Sequence, residues 1–201
     1  DWDNDGRSTL LVASLAGVTQ FNATPETKQY SWSQLVVGNP VAFPSCGAGE
    51  IEVGEYGKDK LPMLATIEPW HGHQAVVYTL NLDGSEWFYF HMWNRHVLDD
   101  QLVGGHAVGW GDFDGDGEDE MVAGSRGKAD AGKDPCLKLF DLDFYIQRDP
   151  QLKWDSQTLD TGGIAVEDLE VADLDEDGDP DIVVIGRATH NLVLFENKSN
   201  K

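Results

Sequence analysis

The sequence of 201 residues contains no apolar run as long as the roughly 18 residues that a membrane-spanning helix needs. Positive charge is also scarce, because 14 lysines and arginines stand against 36 aspartates and glutamates. The resulting formal net charge of -22 at pH 7 argues against nucleic acid or an anionic membrane as a partner. We therefore expect no membrane span and no nucleic-acid partner, and the excess of carboxylates favours divalent cations instead.

Cysteine is rare, and the common catalytic motifs are missing. Cys46 and Cys136 allow one disulfide, but the repeat described below places them on different strands, so we expect two free thiols. No G-x-S-x-G, P-loop or H-E-x-x-H motif occurs. The N-terminus has no signal-peptide pattern, whereas N-x-S/T sequons occur at Asn22 and Asn197. The two sequons favour a secreted, extracellular or periplasmic location, which is what we expect.

An acidic motif recurs along the chain. The pattern D-x-D-x-D-G, followed by three residues and a short apolar run, begins at Asp1, Asp112 and Asp173. A second marker is a tryptophan followed by a leucine, at Trp32, Trp93 and Trp154. The tryptophans are 61 residues apart both times, as are the last two acidic loops. Two markers that share one period indicate a structural repeat.

The repeat predicts an all-β chain. Short runs rich in Val, Leu and Ile are separated by Gly, Asp, Asn and Pro, which is typical of four-stranded antiparallel sheets stacked as a β-propeller. We predict one propeller segment of about four blades, with approximate units 1–38, 39–100, 101–160 and 161–201. In the second unit Glu55 replaces the first aspartate, and Gly57 and Met63 stand where the acids of positions 3 and 9 are expected. The incomplete first and last units predict a larger ring of six to eight blades, whose remaining blades belong to a longer chain. The three marker tryptophans are expected to pack on outer strands.

The acidic loops predict two to three Ca²⁺ ions. Carboxylates at positions 1, 3 and 5, a carbonyl at position 7 and an acid at position 9 supply hard oxygen ligands, and a glycine at position 6 permits the turn. An EF-hand is excluded because position 12 of the second loop is Ala123, inside an apolar strand. In the first loop Thr9 replaces the acid of position 9. The predicted ligands are Asp1, Asp3, Asp5, Asp112, Asp114, Asp116, Glu118, Glu120, Asp173, Asp175, Asp177, Asp179 and Asp181, with Glu118 and Asp179 acting through their carbonyls.

These loops resemble the FG-GAP/VCBS repeats, a family that includes integrin α heads and some fungal lectins. The resemblance covers nearly the whole chain, and it implies the propeller fold without defining the function. The stretch from Glu68 to Gly124, with "EPWHGHQAVVYT" and "GGHAVGWGDFDGDGEDEMVAG", is also similar to the propellers of fungal aldos-2-ulose dehydratases. That narrower resemblance implies a sugar-directed lyase chemistry.

Histidines and arginines are predicted to gather on the face of the propeller opposite the acidic loops. Strand direction alternates within a blade, so the loops between second and third strands lie on that face, where the innermost strands begin. The candidate catalytic residues are His71, His106 and Glu167, with a histidine as general base. The candidate ligand-binding residues are Trp70, His73, Arg126, Lys128, Arg187 and His190. A transition metal held by His71, His73 and His106 is the alternative for this face.

Two functions follow from these expectations. The first is a non-catalytic, calcium-stabilised propeller that binds carbohydrate or a protein ligand through its His/Arg-rich face. The second is a sugar lyase or dehydratase that uses the histidines of that face, and the sequence alone leaves both open.

Overall fold

The structure is a computed structural model that describes residues 6–24, 29–36, 38, 42–43, 45–58, 60–80, 93–128, 132–142 and 153–199. Those ranges contain fourteen β-strands and no helix. Accordingly, they offer no helix long and apolar enough to cross a membrane. The predicted first calcium loop, with Asp1, Asp3 and Asp5, lies outside the described residues.

The strands form four antiparallel sheets in chain order. The first sheet contains β1 (Thr9–Ser14), β2 (Gly17–Thr24) and β3 (Gln29–Val36). The second contains β4 (Gly49–Tyr56), β5 (Leu61–Glu68), β6 (Gln74–Leu80) and β7 (Trp93–Asp99). The third contains β8 (Gly105–Gly111), β9 (Glu120–Ser125), β10 (Cys136–Leu142) and β11 (Trp154–Thr161). The fourth contains β12 (Val166–Ala172), β13 (Asp181–Gly186) and β14 (Asn191–Phe195).

The second strands of the second and third sheets are buried because another sheet covers each of their faces. All six residues of β9 are buried, although its sequence "EMVAGS" has no polar alternation. Met121 and Ala123 of β9 pack in a core shared with the second sheet, whereas Val122 packs in a core shared with the fourth. Consecutive apolar residues therefore serve two interfaces at once, as expected for a strand that is covered on both sides.

Glycines allow the neighbouring sheets to approach one another. A Cβ on Gly109 of β8 would lie 2.7 Å from Cδ1 of Leu169 on β12. A Cβ on Gly54 of β4 would lie 2.4 Å from the Trp110 ring. Strand β8 thus packs between β4 and β12, and each sheet stacks on the next through its inner strands. This arrangement confirms the predicted propeller segment of antiparallel blades.

The marker tryptophans do not all pack as predicted. Trp93 and Trp154 are partly buried against the cores of the second and third sheets. Trp32 on β3 is 70% exposed, so the prediction of a packing role is wrong at this position. It pairs with Phe21, which in turn pairs with the exposed Leu10, so all three lie on a face of the first sheet that no described sheet covers. The two cysteines are free, as predicted.

Acidic residues lie on two of the inner strands. Burial raises the pKa of Glu52 on β4, and the nearby carboxylates of Glu50, Glu170 and Asp168 raise it further. Burial also raises the pKa of Glu50, and Asp168 adds to the effect. An acid whose pKa is higher in the folded state than in the unfolded state binds more protons when folded. Its contribution to stability is therefore present below the ordinary pKa and is lost as the pH rises through the folded value.

We expect Glu52→Gln to raise Tm at pH 7.5, because the neutral amide removes one of four neighbouring negative charges. Because Glu52 is exposed, solvent screening limits the gain to roughly 0.5 kcal/mol, which would raise Tm by about 1–2 °C in a chain of this size. The gain should vanish at about pH 3, where the carboxyl is protonated in both states. Melting curves at the two pH values test this, with Asp155→Asn on the exposed outer strand β11 as the control. An equal effect of both substitutions would contradict it.

Candidate functional site

The loops of the third and fourth sheets divide their functional residues between two opposite ends. The acidic loops connect β8 to β9 and β12 to β13, as predicted. The loops that follow β5, β9 and β13 lie at the other end, where β8 and β12 begin. The candidate calcium ligands and the candidate ligand-binding residues are therefore separated by the length of a strand.

The two described acidic loops each bring three carboxylates together. One oxygen from each of Asp112, Asp114 and Asp116 lies within 4.8 Å of the others, and the same holds for Asp173, Asp175 and Asp177. Within the first of these loops the amides of Gly115 and Gly117 donate to Asp112 at 2.8 and 2.9 Å. Backbone donors thus hold the turn closed while the like charges face one another.

The acids at position 9 lie beneath the loops. Glu120 is 4% exposed and Asp181 is 1% exposed. Each accepts the amide of position 2 in its own loop, from Phe113 at 2.7 Å and from Leu174 at 3.2 Å. Burial raises the pKa of Glu120 to about 8, with the charge of Asp114 contributing. Both acids lie outside the groups of three carboxylates, and their role as ligands stays a prediction.

The residues present fit a hard dication. Three clustered carboxylates offer oxygen ligands of the kind that Ca²⁺ prefers. In addition, Oε2 of Glu118 is buried without a hydrogen-bond partner, although the Gly57 amide acts on its carboxyl group together with the charges of Asp112, Asp114 and Asp116. A buried oxygen without a donor is costly unless a cation or a water compensates it. A bound Ca²⁺ at Asp112, Asp114 and Asp116 would supply that positive charge and remove the repulsion.

The acidic loop of the third sheet also forms hydrogen bonds with residues of the second sheet and with the segment after the fourth sheet, which the sequence did not indicate. The Asp119 amide donates to the Glu55 carbonyl at 3.2 Å, and the Glu55 amide donates to Oδ2 of Asp119 at 2.7 Å. In the loop of the second unit, which has lost part of the acidic motif, Nζ of Lys60 lies 3.0 Å from Oε2 of Glu55. The lysine ammonium group there provides the positive charge that a bound cation would provide in the acidic loops. On the other side, the Asn197 side chain donates to the Phe113 carbonyl at 2.8 Å.

The opposite end contains a compact group of five residues, which we call the His/Arg cluster: Trp70, His71, His106, Arg126 and Glu167. The rings of His71 and His106 stack with centroids 4.9 Å apart, and the Trp70 ring lies 4.4 Å from His71. Arg126 Nη2 donates to Oε1 of Glu167 at 2.8 Å, and Nε lies 2.7 Å from Oε2. The structure therefore brings together the three candidate catalytic residues and two of the candidate ligand-binding residues.

Hydrogen bonds occupy both ring nitrogens of His106. Arg126 is always a donor, so Nε2 of His106, to which Arg126 Nη2 is hydrogen-bonded, must accept. Its Nδ1 lies 2.6 Å from the Glu167 carbonyl oxygen and therefore carries the proton. Both ring nitrogens of His106 are therefore occupied, and the Glu167 carboxylate is held by Arg126. Neither group is free to act as a general base in this arrangement.

His71 differs from His106 in its surroundings. Partial burial lowers the pKa of His71, and the neighbouring His106 and Arg126 lower it further, whereas Glu167 opposes them. The ring is therefore neutral at pH 7, and the structure records no hydrogen bond to it within the described residues. Of the three candidate catalytic residues, His71 is the one whose ring nitrogens are available to a ligand.

Local geometry explains how His71 reaches His106. His71 has a φ of 53°, and a Cβ on the following Gly72 would lie 2.4 Å from the Glu68 carbonyl, so this tight loop requires glycine there. The Gly72 carbonyl accepts the amide of Gly105 at 2.8 Å, and Gly105 directly precedes His106. The loop after β5 is thus tied to the first residue of β8.

The other candidate residues lie outside the cluster or at its edge. Arg187 is largely exposed, with Nη1 3.6 Å from Oε1 of Glu167. His73, Lys128 and His190 are exposed on their loops. Among the described residues, His71, His73 and His106 do not form a group with ligand atoms close enough for one metal ion, so the transition-metal alternative gains no support.

Sheet order and loop pattern together define this chain as part of a β-propeller built from acidic-loop repeats. Residues 112–184 match the family model of the FG-GAP-like repeat, which confirms the predicted resemblance for that part of the chain. The match spans the acidic loops of the third and fourth sheets.

The chain is also similar to a named enzyme. It is 34% identical over 107 residues to the aldos-2-ulose dehydratase of Phanerodontia chrysosporium. The alignment covers 48% of this chain but only 12% of that protein. The predicted partial resemblance is therefore confirmed, and it concerns a small part of the relative's length.

Proposed function

We propose that the chain is a calcium-stabilised propeller module that binds carbohydrate through the His/Arg cluster, outside the cell or in the periplasm. The observation that carries the proposal is the stack of Trp70, His71 and His106 beside Arg126. Trp70 is 48% exposed, so part of its ring is available to a sugar face.

The polar side chains around this stack suit the hydroxyl groups of a sugar. Arg126 is fixed by Glu167, so its guanidinium is already oriented before a ligand arrives. Arg187 is held loosely and can turn its guanidinium towards hydroxyl pairs or a sugar carboxylate. The available nitrogens of neutral His71 add a donor and an acceptor. An aromatic surface with a few convergent polar groups is the usual composition of such a site.

Calcium has a separate part in this proposal. The candidate calcium loops lie at the opposite end of the blades from the His/Arg cluster, so an ion there would stabilise the sheets without touching the ligand. A Ca²⁺ ion that is fully ligated by carboxylates, a carbonyl and water has no open position for chemistry.

A glycan array probed with the labelled chain in calcium tests the proposal. We expect binding to a limited set of glycans, and Trp70→Ala should weaken it roughly tenfold or more, since the stack loses its exposed ring. His190→Ala, on an exposed loop of the same face, is the matched control and should leave binding unchanged. Binding to immobilised proteins but to no glycan would instead favour a protein ligand, and equal loss in both variants would contradict the assignment to this cluster.

A second function is supported by His71 and by the similarity to an enzyme named a dehydratase. Neutral His71 would take the proton from the carbon next to a sugar carbonyl, and a β-hydroxyl would leave as water after receiving a proton. The product would be an enone that absorbs in the ultraviolet. Incubation with oxidised sugars and a search for this absorbance would detect the activity, and binding without any new absorbance would argue against it.

A further inference from the structure

A buried ion pair lies beneath the loop that carries Trp70 and His71. Glu68, the last residue of β5, is fully buried. Its Oε1 accepts the hydroxyls of Thr66 at 3.0 Å and Tyr78 at 2.6 Å. Its Oε2 accepts Nε and Nη2 of Arg95 at 2.8 and 2.6 Å. Both carboxylate oxygens are therefore fully used by the protein, and no ligand can reach them.

Arg95 connects the two ends of the loop. Besides its two bonds to Glu68, Nη2 of Arg95 donates to Oε1 of Gln74 at 2.9 Å. Glu68 directly precedes the loop and Gln74 directly follows it. The planar guanidinium of Arg95, which stands on β7, therefore holds both loop ends from below.

The backbone of the loop repeats the same connection above the ion pair. The His73 amide donates to the Glu68 carbonyl at 3.1 Å, closing the loop on itself. The His73 carbonyl in turn accepts the Leu102 amide at 2.9 Å, on the connection that leads to β8. Together with the hydrogen bond from the Gly105 amide to the Gly72 carbonyl, these contacts hold the loop in one orientation relative to His106.

We propose that Glu68 and Arg95 are positioning residues of the His/Arg cluster, which hold Trp70 and His71 against His106 without touching the ligand. The proposal rests on the proposed function, since it assigns the pair to the same site. A buried ion pair is a weak source of stability compared with apolar residues of similar volume. A pair kept at the base of a functional loop is therefore better explained by the geometry that it imposes.

The test uses the ligand-free protein, so its outcome does not depend on whether a glycan binds. His71 is titrated by NMR in the wild type and in Glu68→Gln, and the contact between the His71 and His106 rings is followed through their nuclear Overhauser effect. We expect the His71 midpoint to rise towards the ordinary histidine value in the variant, because the ring becomes more exposed to water and moves away from His106 and Arg126. The ring contact should be lost at the same time.

Three further variants separate positioning from stability. Glu68→Met and Arg95→Leu, combined with Thr66→Val and Tyr78→Phe so that no buried hydroxyl loses its acceptor, replace the pair by apolar residues, which should restore Tm while the His71 midpoint stays raised. Arg95→Lys keeps the charge but loses the planar fork, so it should shift the midpoint part of the way even if Glu68→Gln does not fold. Val184→Ala, in the core between the third and fourth sheets, should lower Tm and leave the His71 midpoint unchanged.

The proposal is overturned if the apolar pair restores both Tm and the His71 midpoint, because the ion pair would then serve the fold alone. It is also overturned if Val184→Ala raises the midpoint as much as Glu68→Gln does. Where the glycan array has identified a ligand, Glu68→Gln should weaken its binding at least about tenfold, whereas Val184→Ala should not.

Discussion

Excess chelator is expected to lower Tm by roughly 10–20 °C, and added calcium should restore it. A ligand present at a hundred times its Kd stabilises the folded state by about 2.7 kcal/mol, so two ions contribute about 5 kcal/mol. In a chain of this size each kcal/mol corresponds to about 2–4 °C. The physical cause is the repulsion among three carboxylates within 4.8 Å of one another in each loop, which a dication removes.

The acidic loop of the third sheet is hydrogen-bonded to residues of both neighbouring sheets, so the loss of Tm without calcium should exceed that of a local change in one loop. The loop bonds to Glu55 of the second sheet and to Asn197 after the fourth. When the loop opens without calcium, contacts to both neighbouring sheets are weakened with it. Calcium should therefore stabilise the stacking of three sheets. We expect it to raise Tm and to make the unfolding transition sharper.

Single-loop variants give the control for calcium removal. Asp114→Ala should abolish about half of the calcium-dependent gain in Tm from the two described acidic loops, and Asp175→Ala should abolish the other half. The double variant should lose the gain from both loops and keep only what an ion at the predicted first loop, with Asp1, Asp3 and Asp5, contributes. Differential scanning calorimetry measures all three, and an unchanged melting curve of the wild type in excess chelator would disprove calcium stabilisation.

Much of the fold was predictable because the repeat leaves two independent marks in the sequence. The 61-residue spacing of Trp93 and Trp154 equals that of the two acidic loops, and such agreement requires a repeated structural unit. Strand direction then follows from antiparallel pairing, and it assigns each loop to one end. For this reason His71 and His106, which are 35 positions apart in sequence, could be expected at the same end and are in contact.

The remaining features depend on side-chain geometry that spacing does not encode. Glu68 on β5 and Arg95 on β7 are joined across the intervening strand β6. Nothing in their sequence context distinguishes them from exposed charges. The occupation of both His106 ring nitrogens follows only from the positions of Arg126 and the Glu167 carbonyl. Trp32 has the same marker pattern as Trp93, yet it is exposed because no described sheet covers that face.

The two ends of the blades should respond to mutation in opposite ways, and His106→Ala is the clearest case. It removes the ring on which His71 stacks and the acceptor that holds Arg126, so we expect ligand binding to fall by about a hundredfold, which corresponds to roughly 2.8 kcal/mol. Tm should fall by only a few degrees, because the ring is partly exposed and no candidate calcium ligand is touched. Asp114→Ala should do the reverse, lowering Tm strongly while the folded fraction still binds with unchanged affinity.

His73→Ala provides the matched control for His106→Ala, because His73 lies on the loop of His71 but outside the His/Arg cluster. Isothermal titration with the best glycan of the array, in saturating calcium and well below Tm, measures the affinities of all three variants. The expected order is a large loss for His106→Ala and none for His73→Ala or Asp114→Ala. If Asp114→Ala weakens binding as much as His106→Ala under these conditions, the two ends are coupled, and the assignment of binding to one end and stability to the other is wrong.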